Sequence, residues 1–231
     1  MNFLTLLLQI STETNQAAQS AGEIKISYLD LAVKGGWVMI PIALLSILAV
    51  YIFIERYLAI RKASSTDNNF MNRIRDYIHE GKVENALTLC QTYTDPASKM
   101  IEKGIRRIGR PLADINTAIE IVGKLEIAQL EKGLPALASI AGGAPMLGFF
   151  GTVTGMVRAF YDMSMAGNNI DITLLSSGIY IALITTVAGL LVGIPAFFGY
   201  NYLITRIENL VNKLEAKSTE FMDILNEPVT K

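Results

Sequence analysis

The chain is poor in the residues that most sites of chemistry require. Among its 231 residues there is one cysteine, Cys90, and one histidine, His79. A lone cysteine closes no internal disulfide, and one cysteine with one histidine cannot complete a four-ligand metal centre at any spacing. Both read as ordinary helix residues, so no metal or cofactor is expected. There is no basic excess either, because 20 Lys and Arg stand against 21 Asp and Glu for a formal net charge of -1. Without surplus cations to neutralise phosphates, nucleic acid is excluded as a partner. The polar part of the chain holds no Gly-rich phosphate loop, Ser/His/Asp set or facing carboxylate pair. That disfavours an enzyme and leaves open only a catalytic site completed by another chain.

Apolar residues are what the chain has in abundance: 51% are hydrophobic and 18% charged, with a mean hydropathy of +0.37. Such a balance points to a lipid bilayer as the solvent. Three segments meet the length needed for a span, about 17 to 25 mainly apolar residues. They are Trp37 to Ile54, a stretch within Leu134 to Tyr161, and one from about Leu174 to Tyr202. The fold class expected is therefore an all-α integral membrane protein with three transmembrane helices.

Orientation follows from the distribution of Lys and Arg near the spans. The long connection between the first and second spans carries thirteen of them, from Arg56 to Lys132, whereas Ser164 to Thr173 has none. The long connection is expected inside the cell and the short one outside. This sets the N-terminus periplasmic and the C-terminus cytoplasmic. The boundaries expected are a periplasmic N-terminal segment over 1–35, spans over 36–58, 134–163 and 174–202, a helical cytoplasmic domain over 59–133, a short periplasmic loop over 164–173, and a cytoplasmic helix over 203–231. Met1 to Ile10 is apolar but lacks a positive leading region, so it reads poorly as a cleavable signal. Ile24, Tyr28, Leu31 and Ala32 share one helical face and suggest an interfacial helix before the first span. Glu55 and Arg56 at the inner end of that span read as a headgroup anchor.

In the cytoplasmic part, Phe70, Ile74 and Ile78, then Val83, Ala86, Leu87 and Cys90, recur at helical spacing on either side of Gly81 and predict two short helices. Asp95-Pro96 should open another, carrying Met100, Ile101, Ile105 and Ile108 and ended by Gly109-Arg110-Pro111. From Asp114 to Met163 one helix of roughly 75 Å is expected, bent near Gly133 and Pro135. The third span should likewise continue into a charged helix with Ile207, Leu210, Val211, Leu214, Phe221 and Leu225 on its apolar stripe.

The candidate site lies in the second and third spans. Ala141, Pro145, Gly148, Thr152, Gly155 and Ala159 form a line of small residues with one central hydroxyl, and Gly178, Ala182, Thr186, Gly189, Gly193 and Ala196 repeat it. Leu147, Phe149, Phe150, Leu183, Ile184, Leu190 and Leu191 supply the lipid-facing side. Two readings stand. The small residues let helices approach closely, as the pairs Gly151/Gly155 and Gly189/Gly193 suggest, with Pro145 and Pro195 as kinks that each free a carbonyl. Alternatively the stripes line a cavity for another helix or a hydrated path, with Thr152 and Thr186 offering hydroxyls to a proton or ion. Neither Gly148 to Val157 nor Ile179 to Val192 contains Asp, Glu, His or Lys. A proton-binding carboxylate, if the path exists, must come from another chain. Arg158 and Asp162 stand four apart, as an interfacial ion pair or as part of an outer mouth.

The stretches LEKGLPALASIAGGAPMLGFFGTVTGMVRAF, Leu130 to Phe160, and GIYIALITTVAGLLVGIPAFFGY, Gly178 to Tyr200, resemble the ExbB/TolQ/MotA proton-channel subunits, most closely the ExbB branch. GFFGTVTGM with TTVAGLLVGIPA carries the resemblance, which covers most of the chain from about Gly35. It implies a homo-oligomer, a pentamer in the inner membrane whose second and third helices surround a pore holding two single-span helices of an ExbD-like partner, which acts through a TonB-like protein. It also implies that Thr152 and Thr186 line the pore, with Gly148, Gly155, Ala182 and Gly189 beside them, near the partner's aspartate. Relatives can carry a glutamate where this chain has Ile181, which leaves the partner's aspartate as the titration site. The flagellar stator branch has four spans against three here.

Overall fold

The computed structural model describes residues 35–65, 69–165 and 172–227. The expected interfacial helix, Met1 to Ile10, most of the short loop and the last residues of the tail lie outside the described residues. All the elements found within them are helices: α1 (Met39–Ala63), α2 (Phe70–His79), α3 (Val83–Thr92), α4 (Pro96–Ile105), α5 (Leu112–Glu131), α6 (Leu134–Met165) and α7 (Ile172–Asn226). Among the described residues, three stretches are long and apolar enough to cross a membrane: α1, α5–α6 taken together and α7 from Leu175.

Helix α7 is the mast of the molecule. Its 55 residues make a rod of roughly 82 Å at about 1.5 Å per residue. The apolar half packs with α1 and α6, and the charged half is wrapped by α2, α4 and α5. At the charged end the core forms where Leu214, Phe221 and Ile224 of α7 meet Phe70 and Ile74 of α2, Ile101 and Ile105 of α4, and Ile119 of α5, all buried. Gly104 makes that crossing possible, since a Cβ there would fall 2.6 Å from Phe221 Cε1 and 2.8 Å from Ile119 Cδ1.

Local chemistry sets the ends of these helices. Gly81, at φ +70°, separates α2 from α3. Asp95 caps α4 by accepting a bond from the Ser98 amide, and Pro96 occupies the first helical position, where its missing N–H costs nothing. Ile108 falls beyond the end of α4 and is exposed, so the apolar stripe expected there stops at Ile105. The bend expected near Gly133 is a complete break. Lys132 at φ -55°, ψ 125° is followed by Gly133 at φ +89°, which are the central residues of a type II turn, and glycine fits the second without strain. Pro135 then sits in the first turn of α6, where no amide donor is needed.

Two side chains depart from the positions read in the sequence. Arg56 turns into the protein: its side chain is 12% exposed, pairs with Glu55, and donates from Nη1 to the Gln129 carbonyl at 2.9 Å in the last turn of α5. The unsatisfied carbonyls at a helix C-terminus draw a cation more strongly than open solvent does. Ile184, read as lipid-facing, is buried.

Candidate functional site

Helices α6 and α7 run antiparallel and meet backbone to backbone. The contact line on α6 is Ala144, Gly148, Gly151, Gly155 and Ala159; on α7 it is Gly178, Ala182, Thr185, Gly189 and Gly193. A Cβ on Gly148 would fall 2.8 Å from the Thr185 carbonyl oxygen, and one on Gly189 would fall 2.6 Å from that of Ala144. A Cβ on Gly155 would lie 3.1 Å from that of Ala182. Four candidate residues, Gly148, Gly155, Ala182 and Gly189, therefore sit at the seam within one chain, where small size is what close approach requires. Pro145 has the same company. Its ring rests against Gly193, and the Ala141 carbonyl that it frees lies 3.0 Å from where a Cβ of Gly193 would be. Pro195 stays within a continuous α7 and is exposed.

The two candidate threonines flank the seam. Thr185, fully buried and donating to the Ala182 carbonyl at 2.8 Å, is the residue pressed against Gly151. Thr152 and Thr186, each one position further along, are half-buried. Thr152 donates to the Phe149 carbonyl at 2.6 Å, and Thr186 donates across the seam to the Gly148 carbonyl at 3.2 Å. That crossing bond is worth about 0.6 kcal/mol by the average for membrane helices.

Successive helix residues turn by about 100°, and in an antiparallel pair the sense of turning is mirrored as the seam is viewed from one end. A residue one past the seam on α6 and a residue one past it on α7 thus fall on the same flank. Thr152 and Thr186 share that flank. Residues one before the seam, Phe150 and Ile184, fall on the other, and α1 with the residues just before it is found there: Trp37, two residues ahead of α1, makes an edge contact with Phe150 at 6.1 Å, and Phe53 of α1 lies beside Gly199. Among the described residues, α1 covers one flank of the α6/α7 pair and no element covers the hydroxyl-bearing flank.

Arg158 and Asp162 belong to a different place. Their Nε to Oδ2 distance is 4.0 Å, with Arg158 86% exposed. Both border a cavity of about 430 Å³ on the α1 side, with Thr154 and Thr185 deeper within it and Trp37 across it. The structure gathers these four polar residues together and does not bring Thr152 or Thr186 among them. Thr154 and Thr185 escaped the sequence reading. Gly151 of the Gly151/Gly155 pair held the signal, since the stripe that includes it passes through Thr185 on the facing helix.

A family model described as the MotA/TolQ/ExbB proton channel family matches residues 93–216, more than half of the chain and all of the seam. The chain belongs to this family. Relatives are similar along most of its length. An ExbB homolog of Methanothermobacter thermautotrophicus, named as a biopolymer transport protein, is 31% identical over 188 residues, which cover 81% of this chain and 66% of the homolog. An ExbB-like protein of Synechocystis is 30% identical over 202 residues, 86% of this chain and 79% of that one. The Tol-Pal system protein TolQ of Haemophilus influenzae is 38% identical over a shorter stretch of 106 residues, 46% of this chain and 44% of that protein. These two ExbB-like relatives align over more of the chain than this TolQ does.

Proposed function

We propose that this chain is the ExbB-like subunit of an inner-membrane proton-channel complex that energises TonB-dependent transport at an outer membrane. The N-terminus is periplasmic and the C-terminus cytoplasmic in this reading, and copies of the chain form a pentamer. The uncovered flank of the α6/α7 pair supports it above all else. That flank presents the hydroxyls of Thr152 and Thr186 amid apolar surface, while no Asp, Glu, His or Lys lies within Gly148 to Val157 or Ile179 to Val192. Such a surface suits a single-span, ExbD-like partner that carries the titratable aspartate.

Mechanism follows from that division of labour. The threonine hydroxyls already donate to carbonyls, which leaves their oxygen lone pairs to accept from a protonated carboxyl or from water in the pore. A proton crossing about 100 mV supplies roughly 2.3 kcal/mol. That amount biases a conformational step and drives no covalent chemistry, so the output is movement of the partner. The glycine seam keeps each α6/α7 pair rigid while the partner moves.

Proteoliposomes holding the chain with its single-span partner test this. Thr152→Val and Thr186→Val should lower proton flux at least tenfold with the complex intact, because valine keeps the volume and removes the hydroxyl. Unchanged flux in both variants would reduce the chain to a scaffold. The TolQ match supports a second reading, a Tol-Pal subunit of the same architecture. Co-purification with TolR- and TolA-type proteins in place of ExbD- and TonB-type ones would establish that reading instead.

A further inference from the structure

We infer that the chain holds an anionic phospholipid between α1 and α7, at the end of the bundle where both helices leave their apolar stretches. A cavity of about 310 Å³ there is lined by Arg61, Arg206 and Lys213, with Ser64, Ser65 and Asn209 among the remaining lining residues. Among the described residues, three cations converge from two helices and no carboxylate lines the cavity. Among the described residues none of the three pairs with an acid. Arg206 is held over the Tyr202 ring at 5.3 Å and donates to the Tyr202 hydroxyl from Nη2 at 2.8 Å. A neutral phenol orients that guanidinium without cancelling its charge. The hydroxyls and the amide add donors suited to phosphodiester and glycerol oxygens.

The occupant is read from what adjoins the cavity. On the same α1/α7 face, towards the apolar stretch, lies a groove of about 780 Å³ bordered by Ser46, Val50, Phe53, Leu191, Pro195 and Phe198 among others. Tyr57 of the cavity is stacked between Phe53 and Tyr202 of the groove, at centroid distances of 6.2 and 6.3 Å. Apolar groove and basic cavity thus form one surface with tyrosines at the junction, the level at which such rings sit in membranes. Acyl chains match the groove and a phosphodiester headgroup matches the cavity, as in basic pockets between membrane helices generally. The groove also gives Pro195 a setting, since its ring borders the acyl path.

The test uses the full chain with its single-span partner in nanodiscs of equimolar phosphatidylglycerol and phosphatidylcholine, with retained lipid identified by native mass spectrometry. Phosphatidylglycerol should be enriched. Enrichment should fall about fivefold for each charge removed by Arg61→Gln and Lys213→Gln, and Arg61→Lys should keep it. Ser46→Trp, which blocks the groove away from the cations, should lower total retained lipid. Equal retention of both lipids, or a double Gln variant as enriched as the parent, overturns the inference. So does displacement of the lipid by glycerol 3-phosphate, which would make the cavity a small-anion site. A Val50→Cys chain that crosslinks to a second copy and not to a photoreactive acyl chain would put a neighbouring subunit in the groove and overturn it as well.

Discussion

Adjacent threonines with different surroundings give the site its sharpest residue-scale test. Thr185 lies against Gly151 with its hydroxyl spent on its own helix, whereas Thr186 reaches across the seam from a half-buried position. Thr185→Val should therefore leave proton flux in proteoliposomes near that of the parent, and Thr186→Val should lose it. Equal loss in both would move the path to the seam itself. Cys90 provides a second prediction. Burial pushes its thiol pKa up to about 12 from an ordinary value of 9.0, so folding disfavours the thiolate, which is the reactive form. Maleimide should label it only on unfolding, read by mass. Because the folded pKa is the raised one, the group's contribution to stability is full below about pH 9 and is lost as pH rises towards 12.

At the scale of elements, glycine positions in α6 separate seam from surface. Gly148→Ala would drive a methyl to 2.8 Å from a carbonyl oxygen on α7 and should cost about 1 to 3 kcal/mol. Gly142 has nothing within 4 Å of its Cβ position, so Gly142→Ala should stabilise by about 0.5 to 1 kcal/mol through helix propensity. Thermal unfolding of the two variants in detergent should shift in opposite directions. Much of this architecture was legible in the sequence: apolar length marked the spans, and period-3.6 stripes marked α2 to α5 and the long run of α7. The phase of the seam was not. A Thr-Thr pair shifts a stripe by one residue at no cost in hydropathy, so only the partner helix decides which threonine is pressed inward. The turn at Gly133 was legible as a bend alone, because a positive φ at one glycine is set by where α5 and α6 must each pack. Arg56 was misread for a related reason. Its cationic end finds a carbonyl 73 residues away in sequence, a contact that no local pattern encodes.

For the whole molecule, the asymmetry of the α6/α7 pair matters most. One flank is closed by α1; the back surfaces are strongly apolar, with Phe149, Leu183 and Leu191 each at least 60% exposed; the remaining flank carries hydroxyls. A chain built this way has a covered side, a greasy side and a side suited to a partner that brings its own charge. Disulfide trapping tests that assignment most directly, and the buried Cys90 makes it clean, since an introduced cysteine is then the accessible one. Cysteines placed singly at Thr152, Thr186 and Leu183 would be oxidised in the membrane against a scan of cysteines along the span of the single-pass partner. Crosslinks should form from Thr152 and Thr186 to positions near the partner's aspartate and none from Leu183. Crosslinks confined to Leu183, or a partner span that reaches neither threonine, would contradict that assignment.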